Sequence, residues 1–274
     1  MVKEVTVSKQ VSIGGGDLTI IAGPCAIEDN ISITLRTCEE LKKVTSELNI
    51  PFIFKSSFDK ANRSSINSYR GVGLEKGLEF LSKVRREFEV PVLTDIHIPD
   101  QAEIVASVVD VLQIPAFLCR QTDLLVAAAK TKKPVNIKKG QFLSPEQMRN
   151  SADKVLACGN NNITFTERGV SFGYQNLVVD MRSIPIMQSI GYPVVFDATH
   201  SVQLPGAGGT QTLGERKYVF TLAKAAVAAG CDALFFEVHP NPDLAPCDGA
   251  NMLFLKDTKE VFKKCKEIFE IVRS

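Results

Sequence analysis

Short, nearly continuous apolar runs alternate along this chain with longer stretches in which apolar residues recur at helical spacing. The runs are Leu18 to Ala22, Pro51 to Phe54, Val90 to Thr94, Val109 to Ile114, Val135 to Ile137, Ile163 to Thr166, Val194 to Phe196 and Ala233 to Phe236. Such runs are what strands buried on both faces look like. Between them, Leu74, Leu78, Leu81, Val84 and Phe88 mark one helical stripe, and Val261, Cys265, Ile268 and Val272 mark the last. Ser144-Pro145-Glu146-Gln147 reads as a helix start, with Ser as the cap, Pro at the first position and Gln placed to return the cap. Eight strand–helix repeats predict a (β/α)8 TIM barrel. An open doubly wound sheet is the alternative, but no GxGxxG follows the first strand to support it. Val5 to Ile13 alternates and then turns at Gly14-Gly15-Gly16, which predicts a short hairpin closing the bottom of the barrel. With no linker or low-complexity tract, one domain over 1–274 is expected, residues 1–16 being its hairpin extension.

Composition narrows the function classes. With 274 residues, 45% of them hydrophobic, the chain can pack a core without disulfide or metal staples. Its 32 Lys+Arg against 31 Asp+Glu leave a formal +1, so a chain-wide surface for nucleic acid is not expected. No apolar run approaches the ~20 residues that span a bilayer, and a membrane is not expected as a partner either. The first sixteen residues, with Lys3, Glu4 and Lys9, do not read as a signal peptide. Seven cysteines, an odd number without a CxxC pair, suit reduced thiols rather than a disulfide framework. A cytoplasmic protein is expected.

The chemistry lies at the C-terminal end of each apolar run. Cys25 comes after the first, and Lys55 to Ser65 after the second, with Lys60, Asn62, Arg63 and Ser64 inside that stretch. Asp95 and His97 end the third. Gln113, then Cys119 and Arg120, end the fourth. Lys138 closes the fifth, Arg168 the sixth, Asp197 and His200 the seventh, and Glu237 and His239 the eighth. In a barrel all of these gather at the C-terminal rim, where active sites are built. Lys55, Lys60, Arg63, Lys138 and Arg168 put five cations on one pocket. One strand-end lysine can snorkel to solvent; five together point to phosphorylated or carboxylated ligands that neutralise them. A second set, Cys25, His200, Glu237 and Asp248, offers thiolate, imidazole and carboxylates, a match for a borderline divalent metal such as zinc or iron. Equally, Cys25 reads as a small buried hydrophobe and His200 as a partner of a backbone carbonyl. Cys247 and Cys119 come near the rim without being ligands, and the remaining cysteines read as core or surface thiols. Pro205 to Thr210, rich in glycine, is too flexible for the interior of an element and fits a mobile loop over the pocket.

Four of these stretches resemble the 3-deoxy-D-manno-octulosonate 8-phosphate synthase (Kdo 8-phosphate synthase) family: Ile21-Ala22-Gly23-Pro24-Cys25, Phe54 to Ser65, Gln113 to Gln121, and Asp197 to Gln203. The resemblance runs from about Leu18 to the final helix. It implies a (β/α)8 barrel, assembled as a homotetramer, that condenses phosphoenolpyruvate with D-arabinose 5-phosphate and water and releases phosphate, in Kdo and lipopolysaccharide biosynthesis. By resemblance, Lys138 and Arg168 hold the phosphoenolpyruvate phosphate while Lys55 and Lys60 meet its carboxylate. Asn62, Arg63 and Ser64 bind arabinose 5-phosphate, the last two at its phosphate. Arg120 is expected to reach into the neighbouring subunit's site. Asp95, His97 and Gln113 line the pocket, and Lys60, Asn62, Asp95, His97 and Lys138 are the expected catalytic residues. The family divides at the residue after Gly-Pro, Cys in its metal-dependent members and Asn in the others. Cys25 implies the metal-dependent group, with His200, Glu237 and Asp248 as the other ligands to zinc or iron, manganese and cobalt being further options.

The resemblance also implies the bond changes. C3 of phosphoenolpyruvate attacks the aldehyde carbon, water adds at C2, and phosphate leaves through C–O cleavage. The nearest rival is 3-deoxy-D-arabino-heptulosonate 7-phosphate synthase, which takes erythrose 4-phosphate and carries a Lys-Pro-Arg-Thr type of run where Lys60-Ala61-Asn62-Arg63-Ser64-Ser65 stands here. A barrel that only binds a sugar phosphate is the non-enzymatic rival.

Overall fold

Eight parallel strands close on themselves in the computed structural model, which describes residues 2–208 and 211–273. They are β1 (Thr19–Gly23), β2 (Phe52–Lys55), β3 (Val92–Asp95), β4 (Val111–Ile114), β5 (Val135–Lys138), β6 (Ile163–Glu167), β7 (Val194–Asp197) and β8 (Ala233–His239). Each pairs with the next, and β8 pairs with both β7 and β1, which completes the ring. Around it lie α1 (Ile31–Glu47), α2 (Leu74–Phe88), α3 (Gln101–Ala106), α4 (Thr122–Lys130), α5 (Met148–Leu156), α6 (Ser183–Gln188), α7 (Val219–Ala228) and α8 (Thr258–Arg273). The barrel is the TIM fold that the apolar runs predict. No helix among the described residues is long and apolar enough to cross a membrane.

Residue parity inside the strands places the site. Ile20, Phe54, Val92, Leu112, Phe165, Phe196 and Phe236 belong to the large cluster packed under the helices. Their neighbours Ile21, Ile53, Leu93, Val111, Val195 and Phe235 form a second cluster inside the barrel. Successive side chains in a strand point to opposite faces. Two residues beyond Ile53, Leu93, Val111, Val195 and Phe235, on the same inward face, come Lys55, Asp95, Gln113, Asp197 and Glu237. One apolar layer thus supports a polar layer directly above it.

The N-terminal hairpin pairs Val5–Thr6 with Ser12–Ile13, and Val11 and Ile13 join the inner cluster. It closes the barrel bottom, as its alternation predicts. Helix signals are also legible in the structure. The Ser144 amide donates to Gln147 Oε1 at 3.1 Å ahead of α5, and Asn30 caps α1 by accepting from the Ser32 amide at 3.1 Å. Val272, expected on the apolar stripe of α8, is exposed, and Phe262 and Phe269 are buried instead. The interval from β3 to β4 is the shortest between strands because α3 is only 6 residues long.

The glycine-rich stretch after β7 departs from expectation. Gln203–Gly208 pairs antiparallel with Gln211–Gly214, so most of it is strand and not an irregular loop; Gly209 and Thr210 lie outside the described residues. A register shift between Leu204 and Gly208, with Gly206 at φ +75°, lets the small residues pair without strain. Gly23 is required for a different reason. A Cβ there would stand 2.0 Å from the Lys55 carbonyl oxygen. Gly23→Ala should therefore cost at least about 2 kcal/mol of stability, read as a lowered urea midpoint; an unchanged midpoint would contradict this close approach.

Candidate active site

A cavity of about 460 Å³ opens at the C-terminal rim. All five cations expected there line it: Lys55, Lys60, Arg63, Lys138 and Arg168. Asn62, Ser64, Asp95, His97, Gln113, His200 and Asp248 line it too. Cys25 and Glu237 lie buried just below its wall. Arg120 is the one expected site residue that stands apart: it is exposed, and its carbonyl accepts from Lys154 at 2.8 Å. A smaller cavity of about 260 Å³ at the other end of the barrel includes Lys266 and Arg273. Both already bind partners there, the Leu48 carbonyl and Asp232.

The lysines do not wait for a ligand to be neutralised, contrary to the expectation from sequence. Lys55 and Lys60 each stand 3.3 Å from Glu237 Oε1, and Lys138 stands 2.5 Å from Asp197 Oδ2. His200 Nδ1 shares that Asp197 oxygen at 2.8 Å. The Lys138 ammonium also lies 4.3 Å over the Phe235 ring. Burial alone would raise the pKa of Asp197, but His200 and Lys138 outweigh it and hold the carboxyl well below its ordinary range. Glu237 is depressed in the same way, Lys60, His200, Lys55 and Lys138 overcoming burial. Asp95 is depressed by Lys55, Lys60 and His97 against the same burial. For Lys60, burial is outweighed by Cys25, Glu237 and Asp95, which hold the ammonium above its usual range. Burial pushes Lys138 and Arg168 the other way, downward.

Among the described residues, two guanidinium groups at the cavity keep an open face. Arg168 Nη2 donates to Gln203 Oε1, while its Nη1 is buried without a partner. Arg63 Nε is likewise buried and unpartnered. A buried donor without an acceptor is costly, and at a cavity wall it is suited to an anion's oxygens.

Cys25 Sγ, Glu237 and Asp248 each place one ligand atom within 4.8 Å of the others. Cys25 Sγ lies 3.3 Å from Asp248 Oδ2, and His200 Nε2 lies 3.5 Å from Glu237 Oε1 and 3.9 Å from Asp248 Oδ2. Glu237 Oε2 is buried without a partner among the described residues. One thiol and two carboxylates that meet, with an orphaned oxygen among them, fit a divalent cation; His200 stands beside the two carboxylates but outside the 4.8 Å set that includes Cys25. Cys247 adds a second sulfur 2.6 Å from Cys25 Sγ, and burial with this neighbour pushes the Cys25 thiol up. A cation held there would require Cys25 as thiolate.

Sequence reasoning places Asp197 at a strand end but gives it no working role. A carboxylate two strands from Lys138 carries no linear signal of the pairing. Gln203, which joins Arg168 to Asp248 Oδ1 (3.3 Å), is visible in the sequence only as the end of a motif.

The model of the DAHP synthetase I family matches residues 3–274, and the chain belongs to that family. It is 58% identical over 273 residues to the 2-dehydro-3-deoxyphosphooctonate aldolase of Geobacter sp. (strain M21), covering 99% of both chains. It is 57% identical over 274 residues to the protein of that name from Trichlorobacter lovleyi, covering 100% of both, and 56% identical over 254 residues to that of Magnetococcus marinus, covering 93% of this chain and 88% of the relative. That name denotes the octulosonate enzyme, Kdo 8-phosphate synthase, to which the sequence motifs point.

Asp95, Asp197 and Glu237 bind fewer protons folded than unfolded near pH 3. Their stabilisation is complete above the ordinary carboxylate range, at about pH 4, and is lost as pH falls toward their depressed folded values. Asp197→Asn, which strands Lys138 and His200, should cost about 3–5 kcal/mol at pH 7 and flatten the acid decline. Urea unfolding at pH 7 and pH 3 checks both; equal stability of variant and parent at pH 7 would contradict the ion-pair account.

Proposed function

We propose that this chain condenses phosphoenolpyruvate with D-arabinose 5-phosphate and water to give 3-deoxy-D-manno-octulosonate 8-phosphate and phosphate. The observation that carries the reading is the pair of unpartnered guanidinium faces, Arg168 Nη1 and Arg63 Nε, on a cavity shared with three lysines. They suit two separate anionic groups, in a chain that aligns end to end with relatives bearing the octulosonate name.

Arg168, steadied by Gln203, takes the phosphoenolpyruvate phosphate together with Lys138. Lys55 and Lys60 take its carboxylate. Asn62, Arg63 and Ser64, at the outer lip, take the pentose phosphate. Asp95, Gln113 and His97 form the wall where the enol carbon meets the aldehyde. Burial lowers the pKa of His97, keeping it neutral at pH 7, so it can donate or accept a hydrogen bond to attacking water. Charges fixed in the mouth before the reaction stabilise the charge that moves as phosphate departs, because they are already oriented toward it. Cys25, His200, Glu237 and Asp248 would hold a divalent metal, zinc or iron suiting the donors best, which supplies Lewis acidity and orientation. Exposed Arg120 beside exposed Phe117 supports assembly in which Arg120 serves a neighbouring subunit, within a homotetramer. The reduced buried thiols suit a cytoplasmic setting.

The family description, which names the heptulosonate product, gives the second reading its weight: erythrose 4-phosphate as acceptor. Phosphate release from phosphoenolpyruvate, measured with each aldose phosphate alone and with none, decides among these. Release is expected with arabinose 5-phosphate at a kcat/KM at least about tenfold above that with erythrose 4-phosphate. The reverse preference establishes the rival, and no release with either aldose phosphate establishes a binding protein. In the same assay chelation should abolish turnover, and Cys25→Asn should lower bound metal by elemental analysis. A thoroughly chelated protein with full activity would overturn the metal assignment.

A further inference from the structure

Beneath the cavity runs a line of polar side chains. Asn136, inward-facing on β5 and fully buried, accepts at Oδ1 from the hydroxyls of Thr164 and Thr166 on β6, at 3.0 and 2.7 Å. Its Nδ2 donates to Gln113 Oε1 at 2.9 Å. Gln113 Nε2 donates in turn to Asp95 Oδ1, and Ser57 Oγ donates to the other Asp95 oxygen. The line crosses four strands, from β6 to β3, and every member is buried. Gln113 and Asp95 face the cavity; Asn136, Thr164 and Thr166 do not line it.

The line has a direction. An amide offers donors at one end and an acceptor at the other, whereas an ionised carboxylate only accepts. Asp95 faces the Lys55 and Lys60 ammonium groups, and Ser57 and Gln113 donate to it, so it is held ionised. Gln113 must then turn its N–H toward Asp95 and its oxygen toward Asn136. Asn136 must repeat that orientation, and its own oxygen is left for the two threonine hydroxyls. Reversing one amide would set oxygen against oxygen in the dry interior and leave buried groups unsatisfied.

We propose that Asn136 is a positioning residue for the reaction: anchored by Thr164 and Thr166, it fixes the orientation of the Gln113 amide and thereby the placement of Asp95 on the cavity wall. This inference rests on the condensation proposed above.

Asn136→Leu, similar in volume, removes both ends of the link. Its kcat should fall about 10–100-fold while both KM values stay within about threefold. Asn136→Asp keeps the acceptor but has a donor only while its carboxyl is protonated. Its kcat relative to the parent should decline as pH rises, or match the parent throughout if the proton stays on. A second readout needs no turnover. With glutamine-selective nitrogen-15 labelling, the Gln113 side-chain amide protons should exchange with solvent at least about tenfold faster in Asn136→Leu than in the parent. An Asn136→Leu protein with unchanged kcat or unchanged Gln113 exchange overturns the proposal. If Asn136→Leu does not fold, the double variant Thr164→Val/Thr166→Val carries the test: lowered kcat at constant KM supports the anchor, and unchanged kcat overturns it. A parent protein inactive with both aldose phosphates would sink the condensation reading but leave the exchange result interpretable.

Discussion

Pairing of buried lysines with buried carboxylates is the constraint on which the rest of this structure depends. Lys55, Lys60 and Lys138 enter a barrel interior where an isolated ammonium would be strongly destabilising, and Glu237 and Asp197 meet them there. Because these pairs are internal, the mouth can be assembled before any substrate arrives. Their near neutrality leaves the guanidiniums of Arg168 and Arg63 to face incoming anions. Glu237 serves two sets of partners, the lysines on one side and Cys25, His200 and Asp248 on the other. The anion pocket and the candidate metal centre therefore share a residue.

The closed barrel makes that pairing geometrically possible. Asp197 on β7 reaches Lys138 on β5, and Glu237 on β8 reaches Lys55 at the end of β2, because inward side chains from non-adjacent strands meet across the interior. An apolar layer below, from Ile21 to Phe235 with the N-terminal hairpin under it, keeps water out from beneath. The chain from Thr164 through Asn136 and Gln113 to Asp95 belongs to the same layered interior and reaches the cavity from below.

Much of this is legible in the amino-acid order, and the illegible part has physical reasons. Runs such as Val194 to Phe196 announce strands, and the residues after them announce the rim. Continuous apolar character, however, hides which alternate residue faces inward, since a barrel strand is buried on both sides. Asp197 can be placed at the rim but not paired, because its partners lie on β5 and in the turn after β7. From sequence the cation cluster calls for external anions, whereas much of its compensation is internal. Pro205 to Gly208 reads as structureless because its composition carries no strand preference; pairing with Gln211–Gly214 supplies what propensity does not. Sequence puts Cys247 near the rim, but only the folded path of its loop, with Asp248 at φ +49°, brings its sulfur onto Cys25.

The most direct test of a self-neutralised mouth with open guanidiniums is electron density from a crystal soaked in phosphoenolpyruvate. The account predicts the phosphate on Arg168 and Lys138, with the carboxylate turned toward Lys55 and Lys60. A ligand bound outside the barrel mouth, or one whose phosphate avoids Arg168, would contradict it.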